Sequence, residues 1–297
     1  MELRDYQRDA QKTDKTDSKD LKGLMVPLLG LAGETGSLLS EYKKWLREGD
    51  RYRVFTDQVS EELGDILWYV ANIATKLNLD LEEIGQENLT KLSERWPSKE
   101  PQRSLFAGAS RYDAQFPPEQ QLPSKMRVEF REIPKDGTTW LQLTYNEKAL
   151  GDPLTDNSYV NDGYRYHDVF HLTNAVILGW SPVTRKLLRV KRKQVPQIDE
   201  VEDGARAAAT EEGISALIFA YAGEHSYFHE CESIEYDLLR TIQVMTRPYE
   251  VRDRSHLEWQ HAILSGYSVW RQIKENRGGV FLGDAETATV SYETLTP

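Results

Sequence analysis

An acidic head runs straight into an apolar helical body between Glu61 and Ala74, and this junction limits what the chain can fold into. The body, Ile66-Leu67-Trp68-Tyr69-Val70-Ala71, is too apolar for a helix exposed on all sides, so it must pack on other helices. The head, Glu61-Glu62-Leu63-Gly64-Asp65, places Glu62 and Asp65 three apart on one helical face. Upstream, Glu34 and Glu41 are seven apart, two turns, and share a face of the preceding helix. Acidic residues also suit a helix's first turn as solvated caps. Here they adjoin a body that must be buried. Carboxylates converging from two neighbouring helices repel one another unless a cation fills the space. An all-oxygen ligand set suits Mg2+, with Mn2+ as the other candidate, rather than zinc.

Helical spacing covers residues 1–96: a polar amphipathic helix from Leu3, an apolar one from Leu24 to Trp45, a long one from Gln58 to Leu77, and one from Leu81 to Arg95 capped by Asn78-Leu79-Asp80. Residues 97–124 hold five prolines with little periodicity and read as a linker. A short β-hairpin follows, with Met126–Phe130 and Thr139–Tyr145 flanking a turn at Lys135-Asp136-Gly137. Beyond residue 163 the pattern is helical again. Thr210-Glu211-Glu212 and the apolar run after it align with Ser60-Glu61-Glu62, with Ser215 at the place of Asp65, and Tyr166–His171 falls where Ala32–Ser37 falls. The expected fold is therefore mainly α. It comprises a helical domain over 1–96, a Pro-rich linker over 97–124, and a related, degenerate helical domain with an N-terminal hairpin over 125–297.

These residues resemble the MazG-like, all-α nucleoside triphosphate pyrophosphohydrolases. Tyr6-Gln7, Ala10 and Thr13 are similar to that family's opening helix, Gly30 to Lys44 to its first metal-binding helix, Glu61 to Ala71 to its Glu-x-x-Asp helix, and Asn88, Lys91 and Arg95 to its closing helix. The resemblance implies cleavage of a nucleoside triphosphate between the α- and β-phosphates, giving a monophosphate and pyrophosphate. It implies that Glu34, Glu62 and Asp65, with Glu41 as auxiliary, hold Mg2+, and that Glu34 or Glu61 helps deprotonate the attacking water. Lys44, Lys91 and Arg95 would meet phosphate oxygens, and Asn72 and Asn88 would line the nucleotide site. The family pattern Glu-Glu-x-x-Glu on the first helix is broken here, because Gly33 and Ser37 stand where carboxylates are expected. Two copies commonly enclose the nucleotide in this family. A tandem chain would do so as an internal pseudo-dimer, with further association into a homo-oligomer left open.

Two other readings stand beside this one. The broken pattern fits a nucleotide-binding regulatory module with weak or no catalysis. All six histidines lie after residue 160, and His167-Asp168-x-x-His171 with Glu211 or Glu212 could form a His/Asp metal phosphohydrolase site in the second half. His225 and His229 repeat the four-residue spacing but read as ordinary interfacial histidines.

The run 185–193 is basic at six of nine positions, able to draw in an anion or to balance nearby acids. Overall, a net charge of −11 argues against a nucleic-acid or membrane-surface binder, and no apolar run approaches the ~20 residues of a membrane span. The lone Cys231 excludes an internal disulfide, and no signal-like apolar segment follows Met1, so a cytoplasmic setting is expected.

Overall fold

The computed structural model describes residues 1–16, 21–95, 111–135 and 137–295, except the side chains of residues 22, 94, 95 and 135. It divides into two compact units, Met1–Ser93 and Glu94–Pro297.

The first unit is helical: α1 (Leu3–Gln11), α2 (Leu21–Glu48), α3 (Phe55–Lys76) and α4 (Leu81–Arg95). A short loop after Glu48 turns the chain back, so α2 and α3 pack side by side as an antiparallel pair. Gly30 makes the approach close, since a Cβ there would sit 2.2 Å from the Tyr69 ring. The Gln7 amide of α1 ties down the α3–α4 turn: it donates to the Leu79 carbonyl (2.8 Å) and Thr75 Oγ1 (3.1 Å) and accepts from the Leu81 N–H (2.8 Å). Asp80 caps α4 by accepting from the Glu82 and Glu83 N–H groups. Thr13 accepts from the Trp68 indole at 2.8 Å, and the nearly buried Lys76 pairs with the equally buried Asp14 at 2.7 Å.

The core of this unit is small, with Ala10, Ala71 and Leu81 at its centre. Many of its leucines face outward, among them Leu29 (64% exposed), Leu39 (65%) and Leu46 (76%) on α2. One correction follows for hydropathy. The helical stretch Gly23–Arg51 is long and apolar enough to cross a membrane by length and composition, although only 11% of its apolar window is buried. Its apolar residues are interleaved with Gly, Ser and Thr, so no unbroken run reveals it.

The second unit departs from a helical bundle. Five strands, β1 (Lys125–Lys135), β2 (Thr138–Tyr145), β3 (Lys148–Leu154), β4 (Gly278–Asp284) and β5 (Thr289–Glu293), form an antiparallel sheet in the order β3-β2-β1-β4-β5. The expected hairpin is its β1–β2 pair, with Phe130 opposite Leu143. The chain's last strands extend it, with Val128 opposite Phe281. Positive φ at Gly278 and Gly279 lets β4 run close against β1 and under Tyr292.

The helices are α5 (Asp168–Thr173, continued by a wide turn to Leu178), α6 (Pro182–Leu188), α7 (Pro196–Val201), α8 (Ala205–Glu224), α9 (Tyr236–Thr246) and α10 (His256–Glu275). α10 starts on a Ser255–Glu258 capping box and packs on β4, β5 and α5, burying Trp259, Tyr267 and Trp270.

Two expectations change here. Residues 111–124, assigned to the linker, carry the buried side chains Asp113, Phe116 and Leu122; residues 96–110 lie outside the described residues. The basic run is partly internal. Arg185 is fully buried against Asp113 (2.8 Å), and Arg192 against Asp203 (2.7 Å) and Glu250 (2.8 Å). Burial of these guanidinium groups is tolerable because each meets a carboxylate in hydrogen-bonding geometry. Asp203→Ala should therefore cost about 3–5 kcal/mol. Native-state hydrogen exchange of core amides in β1 and α10 checks this, and unchanged protection would contradict it.

Candidate active site

The contact of Gly30 with Tyr69 sets the register of α2 against α3. Glu34 lies one turn after Gly30, and Asp65 one turn before Tyr69. In an antiparallel pair the two are brought level, with Glu62 one turn further. The Glu62 carboxyl is raised above the ordinary glutamate range, first by desolvation and then by Glu34, which lies within hydrogen-bond reach, with Asp65 and Glu41 adding repulsion. Three carboxylates from the two helices thus bear on Glu62. Asp65 also faces α1, where burial and then the Asp65 charge push the Tyr6 hydroxyl upward.

Glu41 is the tethered member. Lys44 reaches it at 2.5 Å and the Tyr52 hydroxyl donates to its other oxygen. Lys44 and then Tyr52 hold its carboxyl below the usual range. Among the described residues, Lys44 is the one basic side chain in an ion pair with this acidic group. Beside it, Trp45 stacks on Phe55 at 5.4 Å.

The remaining sequence candidates are scattered. Glu61 is exposed and accepts from Gln58 one turn back (3.3 Å), and it is not among the charges that raise Glu62. Asn72 is buried beside Asp14 with its amide in no good hydrogen-bond geometry, so it is turned into the packing with the α1–α2 connection. Asn88 is exposed on α4 and Lys91 half-buried, while the Arg95 side chain lies outside the described residues. Gly33 faces open space, so no neighbour excludes a side chain there. Tyr52, the facing of Tyr6 and Asp65, and the Gly30–Tyr69 contact were not singled out from sequence. Only the contact had a local signal, a glycine one turn before Glu34.

A second polar cluster occupies the other unit. His171, wholly buried, lies 3.0 Å from Glu211 and 3.3 Å from Glu212. Burial opposes its charge, but the two glutamates overcome that and the imidazole is pushed up to about 10. His167 and Asp168 adjoin it. By contrast, His225 and His229 are exposed, and His225 bonds the Tyr221 carbonyl at 2.7 Å, as an ordinary loop histidine would.

Comparison with known families places both units. Residues 28–99 match the MazG nucleotide pyrophosphohydrolase domain, and residues 107–296 match the MazG C-terminal domain. The chain belongs to the MazG family. The second unit has a family model of its own, distinct from that of the first. This MazG chain is also 42% identical over 71 residues to the Gene 37 protein of Mycobacterium phage L5, covering 23% of the chain and 60% of that relative, less than two thirds of its length. No solved structure matches it.

The mutual repulsion has a consequence for stability. With its carboxyl raised, Glu62 contributes stability below the unfolded glutamate pKa, and this is lost as pH rises through the folded value. At pH 7 in chelator, Glu62→Gln should therefore unfold at a higher temperature than the parent chain. A lower midpoint would show that Glu62 is not held against like charge.

Proposed function

We propose that this MazG chain is a magnesium-dependent nucleoside triphosphate pyrophosphohydrolase, releasing monophosphate and pyrophosphate. The observation that carries the reading is the approach of Glu34 on α2 to Glu62 on α3, with Asp65 one turn on and the Glu62 carboxyl raised first by desolvation and then by these neighbours. Carboxylates gathered in this way fit a hard divalent cation, Mg2+ or Mn2+. When bound, such cations neutralise the triphosphate and acidify an attacking water. Glu34, Glu62 and Asp65 hold them, and Glu41, oriented by Lys44 and Tyr52, is the auxiliary carboxylate. Proton removal falls to Glu34 rather than Glu61, because Glu34 is within reach of Glu62 whereas Glu61 is turned to Gln58. Lys44 and Lys91 are the cations assigned to phosphate, and Asn88 is free to face the nucleotide. Asn72 is withdrawn from that role by its burial.

The exposed leucines of α2 are read as the seat of a second copy of the chain rather than of lipid. Glu34 lies near the middle of the apolar stretch, and a membrane-spanning helix would set that carboxylate deep in hydrocarbon. The acidic pair of α8 follows His167 and His171 in the order in which that of α3 follows α2, the feature that favours a tandem reading although the second unit has its own sheet and family model. A cytoplasmic setting is consistent with the single, free Cys231.

Gly33 and Ser37 favour a second reading, a nucleotide-binding module without turnover. The two readings separate on one assay. With Mg2+ and a panel of nucleoside triphosphates, pyrophosphate rather than orthophosphate should be released. Glu62→Gln with Asp65→Asn should lower kcat/KM by ~100-fold or more, the loss expected when several kcal/mol of charge stabilisation is removed. Calorimetric nucleotide binding with no pyrophosphate would support the regulatory module instead. Activity surviving the double substitution would overturn the site.

A further inference from the structure

We infer that the second unit carries its own metal site, for a first-row transition ion, built from His167, Asp168 and His171 with Glu212 on its open side. The inference rests on the second unit alone and stands whether or not the first hydrolyses nucleotides.

One ligand atom from each of His167, Asp168 and His171 lies within 4.8 Å of the others. They occupy the first turn of α5 and the residue before it, so a single backbone segment presents all three. The imidazoles are oriented for ligation. His167 Nδ1 lies 2.8 Å from the Tyr164 carbonyl, which can only accept, so Nδ1 carries a proton and Nε2 is the nitrogen left to ligate. That Nε2 is 4.0 Å from Glu212, and the ring is stacked on Tyr164 at 4.4 Å.

His171 is fully buried, and neither ring nitrogen meets a partner in hydrogen-bond geometry despite the nearby carboxylates. Glu211, 3.0 Å from its Nδ1, is itself fixed by the Ser181 hydroxyl (3.1 Å), the Val183 N–H (3.0 Å) and the Asn174 amide (3.4 Å). A carboxylate held behind one imidazole nitrogen while the other faces a cluster of ligands is the arrangement that orients metal-binding histidines. Asp168 is buried and offers a carboxylate oxygen to the same cluster. Glu212, 47% exposed, leaves the cluster open to an ion from solvent.

The competing account is an ion cluster without metal, in which a doubly protonated His171 is clamped between Glu211 and Glu212. It accounts for His171. It does not account for the convergence of the Asp168 carboxylate and His167 on the same space. A cation satisfies all of them at once. Two imidazoles with carboxylates favour zinc, manganese, iron, cobalt or nickel over magnesium, unlike the all-oxygen group of the first unit.

The test uses the full chain, stripped by chelator, dialysed separately against Zn2+ and Mn2+ in excess Mg2+, and analysed for retained metal. About one transition ion per chain is expected. It should persist in Glu62→Gln/Asp65→Asn and be lost in His167→Ala/Asp168→Asn. Because substitution near a buried cluster can unfold the unit, each variant is checked by circular dichroism. Glu212→Gln, half-exposed, is the second variant and should weaken affinity about 10-fold or more with the fold intact. Cobalt substitution should give a visible absorption that disappears in the same variants. No retained ion in the parent chain would overturn the site. So would an ion retained by a folded His167→Ala/Asp168→Asn chain, or one lost only with Glu62 and Asp65.

Discussion

The first unit depends on the closeness with which α2 lies on α3. Gly30 offers no side chain, the Tyr69 ring occupies the space, and the helices meet at a fixed register. That register brings Glu34 within hydrogen-bond reach of Glu62, with Asp65 one turn further along α3. The same contact that packs the apolar body of α3 therefore creates an electrostatic conflict at its head. Packing and repulsion are two sides of one arrangement, because the apolar residues that bury the helix are continuous with the acids that resist gathering. On the proposed function, the stability given up in the unliganded chain is exchanged for affinity toward a divalent cation.

The second unit handles charge differently. Its buried guanidinium groups, Arg185 and Arg192, are matched by Asp113, Asp203 and Glu250, and they knit segments distant in sequence into one body. Around His171 the matching is incomplete. Three carboxylates and two imidazoles converge there, and only part of their hydrogen-bonding capacity is used. Both units set short-range acids on one helix against polar groups on another, but nitrogen donors enter only in the second.

Local patterns made much of this legible. The four N-terminal helices, the Asp80 cap and the β1–β2 hairpin follow from periodicity, capping residues and turn residues, all short-range effects. The convergence of Glu34 with Glu62 was readable because both sit at helical spacing from apolar stripes that must face one another. Pairings across long stretches of chain were not readable in this way. The union of β1 with β4 joins segments about 150 residues apart, and β4 begins with two glycines that mask its strand character. The burial of Arg185 and Arg192 was not readable because their acidic partners are remote in sequence, and Asp113 lies in a segment rich in proline. Glu61 and Glu62 are adjacent and chemically identical. Only the helix phase relative to α2 separates the one that faces Glu34 from the one that faces Gln58.

The most direct measurement of the central claim is anomalous diffraction from crystals of the full chain soaked in Mn2+ at neutral pH. The account predicts peaks between α2 and α3 with carboxylate oxygens of Glu34, Glu62 and Asp65 about 2.1 Å away. A map with no peak there, or with Glu34 turned out to solvent while Glu62 and Asp65 bind nothing, would contradict it.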